Sequence, residues 1–159
     1  MEHRRLLLTA EEIAAMPGDR RVHFLNPNAD RWRKSLGDAV GLSRIGVHLV
    51  EVAPGRDSTE FHIHYHEEEC IYALEGEGEL CLGEERHPFR AGDFVGLPAA
   101  TVPHALRNTG EGPLRILVMG QRLPEDVADY PDRGKRLYRY QGHWDLVDLG
   151  AVVDPRGER

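Results

Sequence analysis

The sequence predicts an all-β fold. Short β-branched and aliphatic runs recur at residues 45–52, 61–64, 70–74, 80–82, 94–97, 105–107 and 114–119, with turn signals such as Pro54-Gly55 and Gly83-Glu84 between them. Ten prolines and 17 glycines are spread along the chain rather than clustered, which favours frequent tight turns over long helices. Short strands at this density, from Gly41 to Gly120, read as an antiparallel sandwich or barrel.

The chain has 159 residues, 40% of them hydrophobic, a size that fits one domain with a sizeable core. We divide it into an N-terminal arm (1–40), a barrel core (41–120) and a C-terminal extension (121–159). In the arm, Thr9 and Glu12 have capping-box spacing, so a short helix is expected, stopped by Pro17-Gly18. Residues 22–34 are polar, with Phe24, Leu25 and Trp32 as anchors for a segment laid over the core. Gly76 and Gly78 either close a hairpin, which would set Cys70 beside Cys81, or bend one long strand, which would hold them far apart. After Gln121 the chain reads as an irregular, charged tail, docked by the apolar run around Trp144 and frayed from about Asp154.

The charge balance narrows the partners. Twenty Lys and Arg against 27 Asp and Glu give a net charge of −7, which a phosphate backbone would repel, so nucleic acid is not an expected partner. Residues 1–8 carry Glu2, Arg4 and Arg5 with no apolar stretch long enough for a signal peptide or a membrane span, so a cytoplasmic location is expected. Two cysteines are too few for a disulfide-stapled scaffold and are read as packing thiols. Exposed strand edges in a small barrel make a homodimer the expected assembly.

Nine histidines are the unusual count, and three alternate at His62, His64 and His66. On a strand, His62 and His64 leave the same face, close enough for two imidazole nitrogens to bind one ion. Glu69 joins them only if residues 65–68 form a loop. His104 reaches them only across a closed sheet. His66 is read as an exposed loop side chain, and Glu67 and Glu68 as a solvated acidic loop. Alternation sends Cys70 and Tyr72 away from the face of Glu69 and keeps Ile71 and Ala73 on it, giving the pocket apolar walls. Arg44 and His48 share one face and are placed at the surface.

These residues resemble a known family. Gly55, His62-Ile63-His64, Glu69 and Gly76 are similar to the first motif of the cupins, and Gly92-Asp93, Pro98, His104 and Asn108 to the second. The resemblance covers roughly Gly41 to Gly120. Two details depart from it: one extra residue between Gly55 and His62, and Ala100 where a glycine is usual, with one more residue before His104. The resemblance implies a double-stranded β-helix, the jelly-roll barrel of the cupins, with a metal held by His62, His64, Glu69 and His104.

Three imidazoles and one carboxylate suit one divalent transition metal ion (iron, manganese, nickel, cobalt, copper or zinc) over calcium or magnesium. The expected partner is a small oxygen-rich molecule, and dioxygenase, decarboxylase and isomerase chemistry are all open. A non-catalytic sensing module and a metal-free sugar-binding barrel are the alternatives, because fold does not choose among activities.

Overall fold

The computed structural model describes residues 6–157. Residues 1–5, included in the leader reading above, and 158–159, at the end of the tail, lie outside them. Thr9 caps a short helix, α1 (Ala10–Ala15): its side chain accepts from the Glu12 N–H while the Glu12 carboxylate accepts from the Thr9 N–H at 2.9 Å. A single turn, α2 (Leu36–Ala39), is the other α-helical element among the described residues.

All other regular structure, apart from two short 3-10 turns, is antiparallel β. The strands are β1 (Asp19–His23), β2 (Asn26–Ser35), β3 (Ile45–Val52), β4 (Ile63–His64), β5 (Glu69–Glu75), β6 (Glu77–Leu82), β7 (Glu85–Arg90), β8 (Phe94–Leu97), β9 (His104–Asn108), β10 (Leu114–Gln121), β11 (Glu125–Tyr130), β12 (Lys135–Tyr140) and β13 (His143–Asp148). They form three sheets, ordered β1-β2-β3-β10-β5-β8, β13-β12-β11-β4 and β7-β6-β9. The all-β expectation holds, and the arrangement is a jelly-roll barrel.

One buried apolar cluster closes the barrel between the six- and three-stranded sheets. It includes Val50, Val52, Ile71, Leu80, Leu106 and Ile116, which alternate inward along their strands. A smaller cluster of Ala128, Tyr130 and Leu137 lies on the four-stranded sheet. On β5 the expected alternation is observed, with Ile71 and Ala73 buried and Tyr72 exposed.

Gly76 bends the chain from one sheet into another. Its φ is +85°, and a Cβ there would lie 2.5 Å from the Pro113 carbonyl oxygen, so both conformation and space demand glycine. Because β5 and β6 belong to different sheets, they form no hairpin, and Cys70 and Cys81 are both free thiols.

Three segments differ from the sequence reading. The polar arm is a hairpin, β1–β2, that extends the six-stranded sheet. Residues 85–90 form β7, where Pro88 is tolerated because the strand lies on a sheet edge. The tail expected to be irregular is a meander, β11–β12–β13, joined to β4. Charged side chains at inward or cavity-facing positions such as Arg31, Arg33, Asp126 and Arg139 hid the arm and tail strands from an apolar pattern, and Pro88 hid β7. Beyond them, Asp154 closes a local turn, accepting from the Gly157 N–H at 3.0 Å.

Two substitutions test this frame. Asn108 is fully buried, donating to the carbonyls of Val52 (2.7 Å) and Gly112 (2.8 Å) and accepting from the Gly110 N–H (2.9 Å). Asn108→Leu leaves all three unpaired and is expected to destabilise by about 2–4 kcal/mol in urea unfolding. Ala100, where the resemblance expects glycine, has a φ of +58°. Ala100→Gly is expected to stabilise by about 1 kcal/mol, read as a rise in Tm of about 2–4 °C.

Candidate metal centre

The barrel brings four distant side chains to one point. His62 and His104 are joined by a backbone bridge, His62 N–H to His104 O at 3.1 Å and His104 N–H to His62 O at 2.8 Å, which sets their rings side by side, tilted at 54°, with centroids 4.5 Å apart. His64 follows two residues after His62 on the same face, with the two Nε2 atoms 3.0 Å apart. Glu69 opens β5 after the loop, and its Oε2 lies 3.7, 3.6 and 3.4 Å from Nε2 of His62, His64 and His104. Gly120 is its cross-strand partner, and a Cβ there would stand 3.1 Å from Glu69 Cγ, so the missing side chain leaves room for the carboxylate.

The outer nitrogens set the tautomers. His62 Nδ1 donates to the Glu60 carbonyl at 2.8 Å, and His64 Nδ1 to Asp126 Oδ2 at 2.5 Å. In the neutral rings both Nε2 atoms therefore carry bare lone pairs, which repel at 3.0 Å unless a proton or a metal ion lies between them. Two nitrogens about 2.1 Å from one ion and at right angles lie about 3.0 Å apart, so the donor set fits a transition metal. His104 Nδ1 is buried and has no hydrogen-bond partner among the described residues.

Burial pushes the His62 imidazole below its usual pKa, partly offset by Glu69. His64 is also buried, but Asp126 and Glu69 outweigh that and raise it. For Glu69, burial favours the neutral acid, yet the imidazoles of His104 and His62 hold the carboxyl well below its usual range. Burial acts the same way on Asp126, where the hydrogen bond from His64 prevails and keeps it ionised.

Several residues fall elsewhere than expected. Glu67 is buried, not solvated: its carboxylate pairs with Arg139 and accepts from the Leu123 N–H at 2.7 Å, tying the loop to the meander. Glu68 and His66 are exposed, as expected. Arg44 is exposed, whereas His48 is half-buried and lines the barrel cavity. Trp144 stands at the rim of that cavity under the Arg139 guanidinium, 5.8 Å from ring centroid to Cζ. Asp126 went unread, although the period-two series Asp126, Ala128, Tyr130 carried the signal for an inward strand face.

The four side chains face a cavity of about 460 Å³ with apolar walls that include Val50, Ile71, Leu80 and Val118. Tyr130 also lines it, its ring stacked on His62 at 6.0 Å. Burial, with Asp126 and Glu60, pushes the Tyr130 phenol up to about 12. No helix of the described residues is long and apolar enough to cross a membrane.

Comparison with known proteins agrees with this fold. The family model described as the cupin domain matches residues 48–120. The crystal structure of an Acidithiobacillus ferrooxidans protein, provisionally named a sugar phosphate isomerase, is 51% identical with a TM-score of 0.93, over 95% of this chain and 97% of that one. A second crystal structure, of a sugar phosphate isomerase of the cupin superfamily from Silicibacter pomeroyi, is 28% identical with a TM-score of 0.78, over 88% and 94%. The chain is a cupin. An uncharacterised protein of Methanocaldococcus jannaschii is 39% identical over 66 residues, 42% of this chain, and the match spans about half (52%) of that relative's length.

The buried Glu67–Arg139 pair is the tie between this cupin's ligand loop and its C-terminal meander. Arg139→Met leaves Glu67 buried without its cation and is expected to destabilise by about 3 kcal/mol. Faster hydrogen exchange over 125–148 than elsewhere in the barrel would locate the loss.

Proposed function

We propose that this cupin is a metal-dependent enzyme that isomerises a small phosphorylated sugar. The observation that carries the metal part is the approach of three imidazole Nε2 atoms to one carboxylate oxygen, with two of those nitrogens 3.0 Å apart. His62, His64, Glu69 and His104 would hold one divalent transition ion, and Asp126 would orient His64 from behind. The isomerase part draws on the two relatives named as sugar phosphate isomerases.

Aldose–ketose interconversion needs charge stabilised on a substrate oxygen while a proton moves between adjacent carbons. A bound ion supplies Lewis-acid polarisation of that oxygen. The remaining demands fall on the chain itself. Apolar walls exclude water around the reacting carbons, which strengthens every polar contact made there. Tyr130, protonated up to about 12, presents a phenol O–H donor to the cavity. His23 also lines it; burial brings its imidazole down to about 4, and because Nδ1 accepts the Leu25 N–H at 3.2 Å, its neutral ring offers Nε2–H as a second donor.

Elemental analysis tests the metal. His62→Ala and His104→Ala are expected to lose stoichiometric metal while keeping the fold by circular dichroism; parent-like metal content would remove the assignment. Asp126→Asn is expected to weaken metal affinity by about 10–100-fold in a chelator competition. Affinity should also fall below about pH 6, where protonated imidazole cannot coordinate, and a titration flat from about pH 8 to 5 would oppose the ligand set. For the reaction, aldose and ketose phosphates followed by NMR in D₂O should interconvert with solvent deuterium entering carbon. Oxygen uptake or carbon dioxide release instead would point to dioxygenase or decarboxylase chemistry.

A further inference from the structure

The β1–β2 hairpin places arginines where a core strand ordinarily places aliphatic residues. Along β2, Arg31 pairs with Val52 and Arg33 with Val50, so these guanidinium-bearing side chains leave the inner face of the sheet beside two buried valines. Arg21 stands directly opposite Arg31 on β1, and like charges in that position destabilise a strand pair. A sheet built for stability alone would avoid this arrangement.

The cluster is short of carboxylates. Asp19 takes Arg33 through both oxygens at 3.2 Å and also pairs with Arg21. Arg31 donates to the Ser58 carbonyl and makes no carboxylate ion pair among the described residues. Three guanidinium groups against one carboxylate leave a local charge of +2. All three line the cavity that holds His62, His64, Glu69 and His104. Arg31 is close enough to Glu69 to feel its charge, although burial and the neighbouring Arg33 dominate and lower its pKa.

We propose that Arg21, Arg31 and Arg33 form an anion subsite that takes the phosphate group of the substrate, while its carbonyl end reaches the His62–His64–Glu69–His104 cluster. The charge match favours phosphate over carboxylate: a phosphate monoester carries about −1.5 to −2 near neutral pH, close to the unbalanced +2, whereas a carboxylate carries half as much. Planar guanidinium groups also present paired N–H donors that suit phosphate oxygens. The subsite deepens the isomerase reading in naming which end of the substrate binds where, but anion binding itself does not require that reading or the metal.

The test uses the full chain, with and without metal, titrated calorimetrically with inorganic phosphate at constant ionic strength. Metal-free protein is expected to bind phosphate, and His104→Ala to bind it equally. Arg31→Gln should weaken binding by about tenfold or more, the loss of a charge-assisted contact. Arg21→Gln, at an exposed strand position, guards against misfolding and should weaken it by about three- to tenfold with metal content unchanged. Acetate should bind at least about tenfold more weakly than phosphate. The proposal is overturned by phosphate binding that disappears with the metal and ignores both arginine substitutions, by no phosphate binding in any form, or by equal affinity for acetate. Parent-like metal content in the ligand variants, or no deuterium entry into aldose and ketose phosphates, with phosphate binding intact would instead strike the isomerase reading and leave the subsite standing.

Discussion

The backbone bridge between His62 and His104 is the constraint on which the centre depends. Two hydrogen bonds hold residues 42 positions apart in one register, and the side chains have no freedom to separate once that register is set. His64 then follows from strand alternation, and Glu69 from the short loop that starts β5. Each Nδ1 of the first two histidines is held by an acceptor, so the ring orientations are built before any ion arrives. Such preorganisation keeps mutually repelling lone pairs together, a strain the surrounding apolar core must outweigh.

That core is divided. The large cluster between the six- and three-stranded sheets is mostly aliphatic and walls one side of the cavity, while β11–β13 bring polar groups to the other. Asp126 and Tyr130 on β11 and Arg31 and Arg33 on β2 occupy inward positions that a stability-driven sequence would give to Val or Leu. Packing thus comes mainly from the aliphatic sheets, and chemistry from polar side chains that face the same cavity. The Glu67–Arg139 pair and the hydrogen bond from the Leu123 N–H to Glu67 link the two, because they bind the ligand loop to the strands that cover the polar end.

This division also explains which parts of the fold were legible. Strands β3, β5, β8 and β10 show period-two apolar alternation because their inner face is aliphatic. Strands β1, β2, β11, β12 and β13 have charged or aromatic residues facing inward or toward the cavity, so their pattern resembles that of a solvated loop. Glu67 was misplaced for a related reason: an acidic triplet reads as solvated until a cation is seen buried against one member. Ala100 illustrates the reverse case, where a residue that breaks the glycine pattern still adopts the left-handed backbone that pattern requires.

Local chemistry along the chain was enough to specify the barrel-core strands other than β7, the common face of His62 and His64, and the bend or turn at Gly76. Each depends on neighbours within a few residues. The choice of a bend over a hairpin, the arrival of His104 and Asp126, and the convergence of Arg21, Arg31 and Arg33 on the same cavity were decided by sheet closure. Those relations join residues tens of positions apart, and only the packing of one sheet upon another carries information over such separations.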